Sequence, residues 1–353
     1  MSCFSKEDYI YMRRCLQLAR CGSGSTSPNP MVGTVIVHEG HIIGEGYHIR
    51  AGEPHAEVNA VNSVKECDKP QLPHSTVYVT LEPCSHYGKT PPCCDMLISR
   101  QVKRVVIGIT DSNVMVNGSG ISRMRDAGIE VCTGLLEEEC HRLNRDFFAY
   151  HNLSRPAITL KWAQSADGYI DTIREGGKAT AISTPVSRIA VHKLRSMHDA
   201  ILVGTRTALL DNPSLNVRDW YGRSPIRLVI DRNGRLPETL NIFDGSQQTF
   251  IYTEKAAPGK FGKNTEQIEL DFSKDVLKGI LSHLHSIKVN SLLVEGGSRL
   301  LQSFIDSSLW DDIRIETNPS LFLGDGVPAP VVPPCTDKRK TKCGKNEILH
   351  LKR

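Results

Sequence analysis

Fourteen residues at positions 81–94, LEPCSHYGKTPPCC, hold three cysteines and a histidine, and His55-Ala56-Glu57 stands upstream of them. Thiolate sulfur and imidazole nitrogen are preferred zinc donors, and one His with two Cys leaves a fourth position to water, the open geometry of a catalytic site. Zinc lowers the pKa of such a water to about 7, and a neighbouring carboxylate such as Glu57 can carry its proton to a leaving group. The spacing raises a difficulty. A P-C-x-x-C pair beginning at Pro83-Cys84 needs its second cysteine at position 87, which is Tyr87, while Cys93 and Cys94 follow side by side. The residues alone leave three readings open: a broken site, a chance cluster, or a zinc site with a lengthened loop.

Such a site needs elements that converge. Pro54 places His55 in the first turn of a helix, PHAEVNAVNSV. Cys84 follows the strand STVYVTLEP, and Cys93 follows Pro91-Pro92 at the mouth of the helix CCDMLISRQ. Helix starts carry partial positive charge and unpaired N–H groups, which favour thiolate over thiol. An isolated H-x-E or Pro-Cys means nothing; in this order, at these element ends, they carry weight.

The surrounding pattern alternates. Ser5 and Asp8 form a capping box for a helix to Gly22, and MVGTVIVHEGHIIGEGYH reads as a hairpin about Glu39-Gly40. KRVVIGITD and IEVCTG are further strands, and LEEECHRLNRDFFAYH is one polar helix. The order α-β-β-α-β-α-β-α-β-α implies a sheet between helix layers. A seam falls in HNLSRPAITL, dividing the chain into 1–151 and 152–353. The second series runs strand AITLKWAQS, helix VSRIAVHKLRSMH, strands DAILVG and IRLVID, helix DVLKGILSHLHS, strand SLLVEGG and helix SRLLQSFID. The tail PPCTDKRKTKCGKNE reads as a surface turn or frayed segment, and Cys335 with Cys343 lacks the second pair of a metal knuckle.

A chain of 353 residues suggests two cores. Its 39% hydrophobic and 23% charged residues are those of a globular protein, and a net charge of +4 is too balanced to argue for a nucleic-acid polymer as partner. No apolar run reaches membrane-spanning length, and the first residues read as no secretory signal, so the expectation is a cytoplasmic protein without a membrane partner. Its eleven cysteines are then thiols or ligands, with Cys15, Cys21, Cys132 and Cys140 expected as small buried side chains.

SPNPMVGTVIV, GEGYHIRAGEPHAEVNA, YVTLEPCSHYGKTPPC and RVVIGITDSN resemble the bifunctional deaminase–reductases of riboflavin biosynthesis. The resemblance covers nearly the whole chain. In that family the second zinc cysteine lies nine residues after the first, so His55, Cys84 and Cys93 are implied as ligands, Glu57 as the proton-transferring acid/base, and Cys94 as spare. The implied architecture is α/β: a three-layer α/β/α cytidine-deaminase-like domain, then a dihydrofolate-reductase-like α/β domain. The implied chemistry is zinc-hydroxide deamination of 2,5-diamino-6-(5-phosphoribosylamino)pyrimidin-4(3H)-one, then NADPH reduction of its ribosyl group to ribityl. The resemblance thus implies both a hydrolase and an NADP-dependent oxidoreductase, and a homo-oligomer, dimer or tetramer, is expected.

By the same resemblance Asn29 and His48 hold the pyrimidine, His86, Lys89 and Thr90 lie in the loop around the substrate, and Asp111 and Asn113 face the sugar. Neither a Rossmann fingerprint nor a P-loop occurs; SLLVEGGSRLL, with Gly296-Gly297 before a helix, is the loop where a phosphate could approach backbone N–H groups. Ala163, Ala181, Thr207, Asp211, Gly297, Ser298 and Arg299 are implied for NADPH, and Ala179, Arg195, Leu215, Arg218 and Glu295 for the substrate. Lys161 and Asp211 are expected nearest the reacting C1. The chain departs from the family where Lys89 replaces Arg, where Asp-Ser-Asn-Val replaces D-P-N-P, and where Ala179 and Ala181 replace Ser and Trp. Alanine cannot stack as an indole does. Two competitors remain: a deaminase whose second domain only supports oligomerisation, and a nucleotide-binding regulator, which the intact His55, Glu57, Cys84 and Cys93 disfavour.

Overall fold

The computed structural model describes residues 4–87, 91–111, 118–334 and 337–353. Two compact units divide the chain, Met1–Leu153 and Ser154–Arg353. The first begins with α1 (Lys6–Arg20), where Ser5 Oγ accepts from Asp8 N–H at 3.2 Å and Asp8 accepts from Ser5 N–H at 2.8 Å. Then come β1 (Gly33–His38), β2 (His41–Tyr47), α2 (Ala56–Ser63), β3 (Thr76–Leu81), α3 (Cys93–Ser99), β4 (Arg104–Ile109), α4 (Ser119–Asp126), β5 (Glu130–Thr133), α5 (Glu137–Leu143) and α6 (Arg145–Leu153). The sheet order is β2-β1-β3-β4-β5, with β3, β4 and β5 parallel and β1 antiparallel to both neighbours.

Period-two alternation divides this sheet between two helix layers. Ile36, Val77, Val79, Val105 and Ile107 pack with α2, α3 and α4. Val35, Val37, Tyr78 and Val106 pack with α1, α5 and α6. The single helix expected over LEEECHRLNRDFFAYH is broken, because the buried Asn144 leaves helical geometry to pair its amide with both Met31 backbone groups, at 2.7 and 2.8 Å. Cys21, expected to be buried, is exposed just past the end of α1.

The second unit holds β6 (Ala157–Ser165), β7 (Tyr169–Asp171), α7 (Pro185–Ser196), β8 (Ala200–Gly204), α8 (Thr205–Asp211), β9 (Ile226–Ile230), β10 (Thr249–Thr253), β11 (Thr265–Glu269) and α9 (Val276–Ser286). These are followed by β12 (Ser291–Val294), α10 (Ser298–Asp306), β13 (Asp312–Asn318), β14 (Val327–Pro328), β15 (Asp337–Cys343) and β16 (Asn346–Lys352). Nine strands form one sheet, β11-β10-β9-β8-β12-β6-β13-β16-β15, while β7 and β14 pair separately. The seven strands from β11 to β13 are parallel. One face packs Ile158, Leu160, Trp162 and Leu292 against α9 and α10; the other packs Ile201, Val203 and Val229 against α8 and the segment 236–243.

The tail departs most from its expected form. Instead of a frayed segment, β15 and β16 are an antiparallel hairpin that extends the sheet through β13. Cys343 ends β15, and Cys335 lies outside the described residues. Strands β7, β10, β11, β13 and β14 and helix α8 go beyond the elements expected from the sequence, and Asp211 is the last residue of α8.

Candidate functional site

Close backbone packing fixes the first constellation. A Cβ on Gly46 would meet Ala60 N at 2.3 Å and Ala56 O at 2.6 Å, so glycine is what allows α2 to lie against β2. That sets His55 at the N-cap of α2 and Glu57 in its first turn. His55 Nδ1 lies 3.5 Å from Cys84 Sγ and 3.4 Å from Cys93 Sγ, and the three ligand atoms are all within 4.8 Å of one another. Tetrahedral zinc, with Zn–S of about 2.3 Å and Zn–N of about 2.0–2.1 Å, separates such N and S atoms by about 3.5 Å. The donor set fits zinc.

The proton inventory agrees. Cys84 accepts from the Cys93 thiol, from His55 and, at 3.3 Å, from the Cys93 backbone N–H, which holds its pKa well below the ordinary thiol value. Cys93, which gives its hydrogen to Cys84 and is buried, is pushed far up, and the Cys84 thiolate raises His55. The metal-free cluster thus holds one thiolate and protons that a cation would displace. Glu57 is only 3% exposed; burial, then the Cys84 charge, pushes its pKa up to about 7. Cys94 belongs instead to the core on the α3 face, with burial raising its thiol to about 11.

Beside the ligands, His48 lies edge-on to His55 with ring centroids 5.5 Å apart. Its Nδ1 faces the Pro54 carbonyl at 3.1 Å and must donate, so its Nε2 accepts from Asn29 Nδ2 at 3.1 Å. Burial holds His48 below its ordinary pKa, as a neutral ring. Asp111 is buried beyond the end of β4, and His86 is exposed. Lys89, Thr90 and Asn113 lie outside the described residues.

Two positioning residues escaped the sequence reading. The buried Glu82 carboxylate accepts from the N–H groups of Asp111, Gly118, Gly120 and Ile121 at 3.0–3.3 Å, tying the strand end before Cys84 to the start of α4. Arg123 donates to the Ser85 carbonyl at 2.7 Å and pairs with Asp95 on α3. The available signal was an acid inside an otherwise apolar strand end.

In the second unit, groups gather at the carboxyl ends of parallel strands, where open α/β sheets bind ligands. Gly297 has φ +74 at the N-cap of α10, and a Cβ there would come 3.2 Å from Thr207 Oγ1. A Cβ on Gly296 would press on Val203 and Thr207 at 2.9–3.0 Å. The two glycines leave a backbone cradle at a helix start, suited to a nucleotide phosphate, with Thr207, Ser298 and Arg299 around it. Arg195 closes on Glu295 through two bonds, at 3.1 and 2.7 Å, and donates to the Asn216 carbonyl. Arg218 is exposed and bonds Asn216.

Asp211 is not a free carboxylate. Arg174 pairs with it and with Asp171, and also donates to the Gly177 and Leu210 carbonyls. This places the segment with the exposed Ala179 and Ala181 beside α8. The connection beyond α8 is held by local contacts: Asn212 (φ +39) and the buried Leu215 (φ +48) both take left-handed geometry, and Asn241 bonds the Asn212 side chain and carbonyl at 2.7 and 2.8 Å. Lys161 is 9% exposed on β6, next to Ala163, and makes no hydrogen bond with the described residues.

Residues 5–109 match the family model of the cytidine and deoxycytidylate deaminase zinc-binding region, and residues 156–351 match the RibD C-terminal domain. The chain is 40% identical over 323 residues to the riboflavin biosynthesis protein RibD of Aquifex aeolicus, covering 91% of this chain and 89% of that one. It is 37% identical over 335 residues to RibD of Escherichia coli, covering 90% and 89%. The crystal structure of a diaminohydroxyphosphoribosylaminopyrimidine deaminase/5-amino-6-(5-phosphoribosylamino)uracil reductase from Thermotoga maritima is similar with a TM-score of 0.89, at 35% identity over 98% of both chains. Acinetobacter baumannii RibD follows, with a TM-score of 0.87 and 32% identity, covering 98% of this chain and 99% of that one.

Proposed function

The chain belongs to the RibD family of bifunctional riboflavin-biosynthesis enzymes, and from that premise we propose how its own residues divide the two reactions. It is a deaminase and reductase that uses zinc and NADPH. Unit one carries the deamination and unit two the reduction. Zinc held by His55, Cys84 and Cys93 supplies the Lewis acidity that makes water nucleophilic near neutral pH. The buried Glu57 takes a proton from the attacking water and delivers it to the departing amine. Asn29 and the neutral His48, locked in one tautomer, orient the pyrimidine. The observation that carries this reading is the convergence of three ligand atoms within 4.8 Å beside a buried carboxylate.

NADPH supplies the hydride for reduction. The Gly296-Gly297 turn with Thr207, Ser298 and Arg299 would hold its phosphates, and Ala163 and Ala181 would contribute to the same cofactor site. Arg195, Arg218, Leu215 and Glu295 hold the phosphoribosyl group, with guanidinium suited to phosphate; Ala179 lines the same side. Lys161 holds a proton near C1, and Asp211, oriented by Arg174, faces the sugar. Incubating the full chain with the diaminopyrimidine phosphate, with and without NADPH, tests both halves. Deamination in either case and ribityl product only with NADPH is expected; ribosyl product alone in both would leave a single-activity enzyme.

No helix among the described residues is long and apolar enough to cross a membrane. A cytoplasmic location and a homo-oligomer, dimer or tetramer, complete the proposal; sedimentation velocity on purified protein tests the assembly.

A further inference from the structure

Strands β6 and β13 are parallel, with Lys161 opposite Arg314 and Ala163 opposite Glu316. Leu160, Trp162, Ile313 and Ile315 face the apolar core, so alternation turns Thr159, Lys161, Arg314 and Glu316 to the other face. There His198 Nε2 meets Thr159 Oγ1 at 3.0 Å. Central parallel strands covered on both faces ordinarily read as continuous apolar runs. A row of charged side chains in that position costs solvation and calls for a reason.

Lys161 is the most telling of them, a buried ammonium without a hydrogen bond among the described residues. Four charged groups act on it: Glu295 and Glu316, which favour its charge, and Arg195 and Arg314, which oppose it. Both Glu295 oxygens are engaged by Arg195. Glu316 is 1% exposed and bonds only neutral donors among the described residues, Ser183 Oγ at 2.9 Å and Asn346 Nδ2 at 2.5 Å. No guanidinium hydrogen-bonds it among the described residues, although Arg314, two residues back on β13, interacts with it. Asn346, fully buried at the start of β16, also donates to the Ile182 carbonyl at 3.1 Å, and Asn318 donates to the same oxygen at 3.2 Å. Thr184 next caps α7, the helix that carries Arg195.

We propose that Glu316 is a positioning residue of the reductase site: it is the counter-charge for Lys161 and, with Asn346, it pins the segment 182–184 that leads into α7. The role rests on reading unit two as a reductase. It extends that site to β13 and to the hairpin β15–β16. Polar bonds to Ile182 and Ser183 hold the segment that follows Ala181 in place.

The test uses the full chain labelled with carbon-13 lysine, without ligand, with the Lys161 signal assigned by its loss in Lys161→Arg. Removing a nearby negative charge lowers a lysine pKa. Relative to the parent, Glu316→Gln should lower the Lys161 pKa by about one unit, and Glu316→Asp, which draws the carboxylate back, by less. Asn346→Ala keeps the charge; it should leave the titration in place and raise KM for the phosphoribosyl substrate. The alkaline limb of the reduction kcat should move down with the Lys161 pKa in Glu316→Gln, while the deamination profile stays put. An unmoved Lys161 titration in both Glu316 variants overturns the proposal, and Glu316→Asp alone decides it should the Gln variant not fold. A parent that never reduces substrate while its Lys161 still responds to Glu316 defeats the reductase reading and leaves the counter-charge standing.

Discussion

In unit one, His55, Cys84 and Cys93 bring donor atoms within 4.8 Å of one another, an arrangement that only a cation uses in common. In unit two, Arg195 already holds Glu295 and Arg174 already holds Asp171 and Asp211, so a phosphorylated ligand shares guanidinium groups that have partners. Coordination by three ligands fails when one is lost. A web of ion pairs weakens by degrees. Deamination should therefore respond to substitution almost as a switch, and reduction should respond in steps.

The sharpest break in that contrast is between adjacent cysteines. Metal analysis should find one zinc per chain in the parent and in Cys94→Ser, but none in Cys93→Ser, which should also lose deamination. The reverse pattern would move the ligand to Cys94. Next in size, Glu57→Gln should keep its zinc and deaminate at least ~100-fold more slowly, as removal of a general acid/base requires. Zinc leaving along with activity would make Glu57 a structural or ligating group instead.

Reduction should give a smaller, graded loss. Asp211→Asn keeps the shape and removes the charge; it should deaminate at the parental rate, accumulate the ribosyl intermediate and reduce it about tenfold more slowly, the worth of one charge-assisted hydrogen bond. Arg174→Ala should lose less, mainly as a higher KM. Equal losses in the two would reduce Asp211 to an anchor for the segment 172–181, and parental reduction by Asp211→Asn would remove it from the reaction.

The smallest effect is on stability. In metal-free protein Glu57 is raised from 4.5 to about 7 by burial. A carboxyl with a raised folded pKa contributes stability that is full below its unfolded value and is lost as pH rises through the folded one. Between pH 4.5 and 7 the metal-free parent should thus lose Tm relative to Glu57→Gln. Parallel curves would mean that the carboxylate is solvated.

Local signals were legible in the sequence because their partners are near. The Ser5–Asp8 capping box spans three residues, the hairpin turns at Glu39-Gly40, and His55 and Cys93 begin helices announced by proline. Residue types pointed to a zinc site, but adjacent Cys93 and Cys94 are chemically alike, and the choice between them came only with the family resemblance. Glu82 was not legible: its four N–H partners come from far along the chain, one beyond the end of β4 and three at the start of α4. The hairpin β15–β16 was hidden by composition. Five residues of β15, Asp337, Lys338, Arg339, Lys340 and Lys342, are exposed at the sheet edge, and charge on an edge strand, which discourages further pairing, reads like loop. Arg174 and Glu316 are common residue types whose meaning lies entirely in what they touch.

The connection through Asn212 and Leu215 bears on binding thermodynamics. Left-handed geometry at a non-glycine residue costs about 1–2 kcal/mol, and here it is already imposed by the Asn212–Asn241 bonds and by burial of Leu215. A loop that is ordered before its ligand arrives forfeits little chain entropy when the ligand binds. Calorimetry of phosphoribosyl ligands should accordingly show a modest entropic penalty, and Asn241→Ala should enlarge it while leaving the enthalpy of the phosphate contacts nearly as it was.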